Sequence, residues 1–234
     1  MKVIITGASK GIGRGIATYL AMDGMETGLL ARSASALEDV TQSIEEQGGA
    51  CHAVPCDLRD PDATEQSVQE IVRLMGGVDA LINNAGVVIR KDIFELTLEE
   101  WRAMVDTNIN GVFYATRAVL PYMREQQAGR IINISSISGK LPLPGGSGYA
   151  ASKFAVTGLS LSLFQELRDH GIIVSTVYPG SVDSASHRHE AEADPSWKVA
   201  PEDVGRLCRD ILNTAPGTVL SEVEIRPLRR PPKA

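Results

Sequence analysis

Short apolar runs alternate with amphipathic stretches along almost the whole chain, and this alternation restricts the fold more than any single motif. Lys2–Thr6, Glu26–Ala31, Cys51–Cys56, Val78–Ile82, Ile131–Ile134, Ile172–Tyr178 and Val219–Ile225 are short, apolar and rich in β-branched residues, as buried strands are. Between them lie helical segments with recognisable ends. Ile12–Asp23 follows a glycine-rich turn; Ser33 or Ser35 caps a helix running to about Gln47, which Gly48-Gly49 end; and Asp60 caps a helix with Pro61 in its first turn, stopped by Gly76-Gly77. Thr97 and Glu100 form a capping box that opens a long helical region, broken near Asn110-Gly111 and ending near Gln127. Tyr149 opens a helix that ends near Gly171, and Pro201 starts a last one. Strand–helix alternation of this kind predicts an α/β fold: a doubly wound, mostly parallel sheet of about seven strands, with helices on both faces.

Such sheets bind ligands beyond the carboxyl ends of their strands. The polar clusters of this chain fall there: Thr6-Gly7, Arg32, Asp57, Asn83 to Gly86, Ser136 and Pro179-Gly180. The fifth strand runs into Ser135-Ser136-Ile137-Ser138-Gly139, and the next helix carries Tyr149 and Lys153, one turn apart on the same face. A free phenol has a pKa near 10, and lowering it by about three units takes roughly 4 kcal/mol of preference for the phenolate. One ammonium at about 4 Å supplies about that much at an effective dielectric near 20. Lys153 can therefore make Tyr149 a working acid or base, while Ser136 holds a carbonyl or hydroxyl.

At 234 residues, one domain is the expected organisation, with residues 184–200 as a polar lid over the substrate end. A net charge of −6 argues against general nucleic-acid binding, and the basic run from Arg226 to Lys233 reads as a surface-hugging terminus. Cys51, Cys56 and Cys208 have no metal-ligand spacing and suit a reducing compartment; His187 and His189 lack a third ligand, so no metal is expected. Met1 leads straight into a strand and no apolar run is long enough to span a membrane, which points to a cytoplasmic protein without membrane contact.

Gly7, Gly11 and Gly13, between the first strand and first helix, allow a tight turn and close approach of a pyrophosphate to the helix start. Thr6-Gly7-Ala8-Ser9-Lys10-Gly11-Ile12-Gly13, Asn83-Asn84-Ala85-Gly86, Asn108, Ser136, Tyr149-x-x-x-Lys153 and Pro179-Gly180 together resemble the short-chain dehydrogenase/reductase family, in its compact branch with one Rossmann-type domain. The resemblance implies an oxidoreductase moving hydride between a nicotinamide coenzyme and a carbonyl or secondary alcohol. Tyr149 then looks like the proton donor, Lys153 the residue that lowers its pKa and holds the nicotinamide ribose, Ser136 the carbonyl-orienting hydroxyl, and Asn108 the holder of a water linking Lys153 to solvent. Coenzyme contacts are implied for Gly7, Ser9, Lys10, Gly11, Ile12 and Gly13; for Asn83, Asn84, Ala85 and Gly86 on the adenosine side; for Asp57 and Leu58 at the adenine; and for Pro179, Gly180 and Val182 at the nicotinamide. Ser184 stands where the family often has threonine. A homo-oligomer, a tetramer or dimer, is implied through helices at about Leu98–Gln127 and Tyr149–His170.

The second strand ends Ala31-Arg32-Ser33, with alanine where an NAD-binding carboxylate would stand. Arg32, Lys10 and the Ser33 hydroxyl suit a 2′-phosphate, so NADP(H) is the expected coenzyme. Substrate walls are expected from Val87, Val88, Ile89, Leu141 and Leu143, and a basic patch for an acidic carrier from Arg124, Arg130 and Arg168. A 3-oxoacyl group, a free ketone, a sugar and a steroid all remain open. The competing class is a coenzyme-binding regulatory or scaffold protein without turnover, which has no need of the Asn108, Ser136, Tyr149, Lys153 set.

Overall fold

The parallel sheet expected from the alternation is present. The computed structural model describes residues 1–142, 144–184, 195–215 and 217–229. The strands are β1 (Lys2–Thr6), β2 (Glu26–Ala31), β3 (Cys51–Pro55), β4 (Ala80–Asn83), β5 (Gly129–Ile134), β6 (Ile172–Pro179) and β7 (Glu222–Ile225). They pair side by side in the order β3-β2-β1-β4-β5-β6-β7, every pair parallel. The chain changes direction across the sheet between β1 and β4, which opens a crevice at their carboxyl ends.

The helices are α1 (Gly11–Met22), α2 (Ala34–Glu45), α3 (Pro61–Met75), α4 (Leu98–Val105), α5 (Gly111–Gln126), α6 (Ser147–Leu167) and α7 (Pro201–Leu212). Strand side chains point alternately to the two faces. Val3 and Ile5 of β1 join α1, α2 and α7 in one core, through Ile16, Leu20, Leu37, Ile44, Val204 and Cys208. Ile4 joins α3, α5 and α6 in the other, through Val68, Ile71, Val119, Met123 and Leu163. All three cysteine thiols are free and buried.

Local signals set the helix starts. Ser33 Oγ accepts from the Ala36 amide, Asp60 from the Asp62 and Ala63 amides, and Thr97 with Glu100 forms the complete capping box. Between α4 and α5 the helix does not break; a π-helical turn, Asp106–Asn110, inserts there. Such turns concentrate at functional sites, and this one carries Asn108. Of the helix residues expected either at an interface or in the core, Val119 and Leu163 are core and Phe113 faces outward.

Two helices approach closely because glycine permits it. A Cβ on Gly15 of α1 would lie 2.4 Å from Pro201 Cβ and 2.7 Å from the Pro201 carbonyl carbon. Gly158 of α6, in contrast, has open space around it. Gly15→Ala is expected to lower the denaturant midpoint, since overlap costs of about 1–3 kcal/mol exceed alanine's gain in helix propensity. Gly158→Ala is expected to raise stability by about 0.5–1 kcal/mol. Urea titrations of the two variants should move in opposite directions.

Candidate active site

The site is assembled where β5 ends and α6 begins. β5 delivers Ser135 and Ser136 in succession, and they part company. Ser135 is buried, its Oγ donating to the Lys153 carbonyl at 3.1 Å. Ser136 stays half-buried and caps a 3-10 turn, Ile137–Gly139, by accepting from the Ser138 amide at 3.1 Å. Ser135 is thus committed to structure and Ser138 is buried, which leaves Ser136 as the hydroxyl at the surface of the site.

On α6, Tyr149 and Lys153 are 7% and 5% exposed. Lys153 Nζ lies 5.9 Å from the centroid of the Tyr149 ring and donates to the Ile134 carbonyl at 2.9 Å. Burial pulls the Lys153 pKa from its ordinary value of 10.5 down to about 8. The Arg90 guanidinium lies 5.8 Å from the same ring centroid, so two cations flank Tyr149. Asn108 accepts from the Val87 amide (2.7 Å) and donates to the Val87 carbonyl (2.9 Å) and to Ser152 Oγ (2.9 Å). A Cβ on Gly86 would sit 3.4 Å from Asn108 Oδ1 and 3.7 Å from Lys153 Nζ, so these three positions share one corner. Ser152, which also donates to the Tyr149 carbonyl, ties Asn108 to α6; its only sequence signal is its place inside the Tyr149–Lys153 turn.

The crevice lies beside this corner. Gly7 and Gly11 have φ of +66° and +54°, a conformation that favours glycine. A Cβ on Gly13 would stand 2.1 Å from the Gly7 carbonyl oxygen, and one on Gly7 2.7 Å from Ala85 Cα. Asn84 staples the turn from across the crevice, its Nδ2 donating to the Thr6 and Gly7 carbonyls at 3.0 and 3.2 Å. The start of α1 has no side-chain cap, and its first turn holds no acidic residue. An uncapped helix start behind a glycine cradle fits a phosphate group.

At the outer end, Arg32 is exposed just beyond β2, and Ser33 spends its oxygen on the α2 cap. Asp57 is gripped by Arg59, whose Nε and Nη2 donate to its carboxylate at 3.0 and 2.6 Å. That grip holds the Asp57 carboxyl below the usual range, with a smaller contribution from the charge of Arg32. At the inner end, the Gly180 amide donates to the Ile225 carbonyl, and Val182 forms an isolated parallel bridge with Val199. The two ends of the expected lid are thereby held together; residues 185–194, with His187 and His189, lie outside the described residues, as does Leu143.

The matches to known proteins agree with this geometry. A family model described as short chain dehydrogenase matches residues 1–195. The chain belongs to the short-chain dehydrogenase family. A 3-oxoacyl-(acyl-carrier-protein) reductase of Synechocystis sp. is 36% identical over 199 residues, 85% of this chain and 80% of that protein. An alcohol dehydrogenase of the archaeon Thermococcus sibiricus, solved with 5-hydroxy-NADP, superposes with a TM-score of 0.90 at 27% identity, covering 100% of this chain and 99% of that one. An actinorhodin polyketide ketoreductase, solved with NADPH, superposes with a TM-score of 0.88 at 30% identity over 96% and 95% of the two chains.

Within this short-chain dehydrogenase fold three expectations change. Asn83 does not face the crevice: its Nδ2 donates to Thr116 Oγ1 and Asn133 Oδ1 inside the sheet, so Asn84 to Gly86 alone line that wall. The Leu58 side chain belongs to the core packed under α3 and α5, which leaves only its backbone for an adenine. Arg130 is not part of a carrier patch. It sits at the opening of β5, away from the site, and donates to the Ile211 and Thr214 carbonyls and to Thr214 Oγ1.

Lys153 also has a stability signature. Its folded pKa lies below its unfolded one, so the buried charge weakens the fold below pH 8 and the penalty is relieved as the pH rises from about 8 to 10.5. A drop of that size corresponds to about 3 kcal/mol on the charged form. Lys153→Met is expected to be at least as stable as the wild type at pH 7 without coenzyme, with any advantage shrinking towards pH 10.5. Melting curves across that range check it; a variant destabilised equally at every pH would contradict the assignment.

Proposed function

We propose that the protein is an NADP(H)-dependent reductase acting on a carbonyl/secondary-alcohol pair, with Asn108, Ser136, Tyr149 and Lys153 as its catalytic set. The observation that carries this reading is a buried Lys153 ammonium beside the buried Tyr149 ring, at the carboxyl end of a parallel sheet and next to a glycine-lined crevice. The nicotinamide coenzyme, when bound, supplies or receives the hydride. Ser136 donates a hydrogen bond to the substrate carbonyl oxygen. Tyr149 transfers its proton to that oxygen as the carbon is reduced, and the charge of Lys153 stabilises the resulting phenolate. In the oxidative direction the phenolate takes the proton back. Asn108 holds the Val87 backbone and Ser152 around Lys153, which supports a part in keeping that lysine placed and supplied with protons.

Gly7, Ser9, Gly11, Ile12 and Gly13 are the proposed diphosphate cradle, Asp57, Ala85 and Gly86 the adenosine contacts, and Pro179, Gly180 and Val182 the nicotinamide wall. Lys10 and Arg32 receive the 2′-phosphate, with the Ser33 hydroxyl still able to donate. NADP or its derivatives in the structurally similar enzymes support this choice. Residues 184–200 form the substrate lid within a single domain. Buried free thiols suit the cytoplasm, and among the described residues no helix is long and apolar enough to cross a membrane. The similarity to a 3-oxoacyl reductase makes 3-oxoacyl-type ketones the first substrates to try.

Following NADPH absorbance against a panel of carbonyls tests the reading, and absence of turnover across the panel would favour a binding protein. Tyr149→Phe is expected to lose about 10²–10⁴-fold in turnover while NADPH affinity stays within about twofold. Wild type is expected to prefer NADPH over NADH by at least about tenfold in kcat/KM, about 1.4 kcal/mol. Ala31→Asp with Arg32→Ala is expected to invert that preference, because it adds repulsion as well as removing attraction.

The outer faces of α4, α5 and α6 expose Leu98 (73%), Trp101, Phe113, Phe154 and Leu161. This supports assembly of the chain into a dimer or tetramer through those helices. Light scattering at micromolar concentration should return a multiple of the 25.1 kDa chain mass.

A further inference from the structure

We propose that Arg59 is a positioning residue for coenzyme choice: by occupying the Asp57 carboxylate, it leaves Arg32 available to a 2′-phosphate. The proposal rests on the coenzyme site described above.

Arg32 and Asp57 leave neighbouring strand ends. β2 and β3 are in parallel register with Ala31 opposite Pro55, and the Cys56 amide donates to the Ala31 carbonyl at 2.8 Å. Arg32 therefore emerges one residue past one partner and Asp57 two residues past the other, on the same edge. A carboxylate in that place works against a 2′-phosphate twice. It is a ready ion-pair partner for Arg32, and it repels a dianion brought up to the same edge. Arg32 and Asp57 are close enough for the charge of one to act on the other.

Arg59 removes both effects. It reaches back two residues with Nε on Oδ1 and Oδ2, both at 3.0 Å, Nη2 on Oδ2 at 2.6 Å, and its backbone amide on Oδ1 at 3.1 Å. Four hydrogen bonds from one residue cover both carboxylate oxygens in the planar fork geometry that guanidinium favours. The pair is local in sequence, so little chain entropy opposes it. It is also about half exposed, so its worth to folding is small. The other acid whose charge reaches Arg59 is Asp106, on the π-helical turn, whose Oδ1 is already bonded to Asn110. What Arg59 supplies is electrostatic: with Asp57 neutralised, Lys10 and Arg32 present uncompensated positive charge to the coenzyme's outer end.

The test is coenzyme binding alone, read from the fluorescence of NADPH and NADH titrated with protein in the absence of substrate. Four proteins accompany the wild type: Arg32→Ala, Arg59→Met, Asp57→Asn, and Asp57→Asn with Arg59→Met. Arg59→Met is expected to weaken NADPH by at least about tenfold, the size of one lost unit of favourable charge interaction, and NADH by less than about twofold. Adding Asp57→Asn to Arg59→Met is expected to restore most of the NADPH affinity, because the competing carboxylate is gone. If Arg32→Ala selectively weakens NADPH while Arg59→Met weakens both coenzymes alike or neither, the role given to Arg59 is wrong and the 2′-phosphate site stands. No NADPH recovery in the double variant, relative to Arg59→Met, also overturns it. If Arg32→Ala fails to discriminate the coenzymes, the 2′-phosphate site itself is misplaced and the proposal falls with it.

Discussion

The structure around the site depends on one buried ammonium. Lys153 is nearly inaccessible and its charge is disfavoured there, yet its Nζ is held by the Ile134 carbonyl at the end of β5. A buried cation with one carbonyl partner is a standing cost that the fold alone does not require. It becomes an asset when negative charge develops nearby, as on a phenolate. To bring the lysine there, α6 must pass close to the strand ends, and small residues allow it. A Cβ on Gly139 would meet the Lys153 carbonyl at 2.8 Å, and one on Gly148 would meet Met104 Cε at 2.5 Å. Ser135 then binds the same stretch of α6 to β5. The serine turn, the helix and the strand are one mechanical unit, and Ser136 rides on it.

The neighbouring half of the site uses backbone where this one uses charge. Its turn holds glycines at positive φ, a helix start without a side-chain cap, and an asparagine, Asn84, whose amide fills the space beneath the turn. Such a surface accepts phosphate through N–H groups and needs no counter-charge at its centre. Formal charge appears only at its outer rim, where Lys10, Arg32, Asp57 and Arg59 stand. Binding and discrimination are therefore carried by different atoms.

Most of the architecture was legible because its signals are local. Period-two apolar runs located all seven strands, and Asp60 with Pro61, Thr97 with Glu100, and Ser33 marked three helix starts. Tyr149 and Lys153 were readable together because one helical turn relates them. What stayed hidden depends on partners far along the chain. Nothing adjacent to Asn83 and Asn84 says which points into the sheet; that choice belongs to Thr116, Asn133 and Thr6. The π-helical turn reads from sequence as an interruption, because its extra residue is stabilised by Asn108 reaching back to Val87. Arg130 looked like a surface cation until the loop after α7 supplied its acceptors. Arg59 lay beside a residue already singled out, and its role is visible only once β2 and β3 are paired.

The three buried thiols give the chain an internal clock. Burial pushes the Cys208 thiol up to about 12, and those of Cys51 and Cys56 rise for the same reason, so none is reactive while its surroundings stay closed. They occupy separate places: the first residue of β3, the loop leading to Asp57, and the middle of α7. Alkylation of each thiol under native conditions therefore runs at the rate at which that part of the fold opens. The order in which they label would report whether the rim of the coenzyme crevice loosens before the helix that packs against α1, with no probe added to the protein.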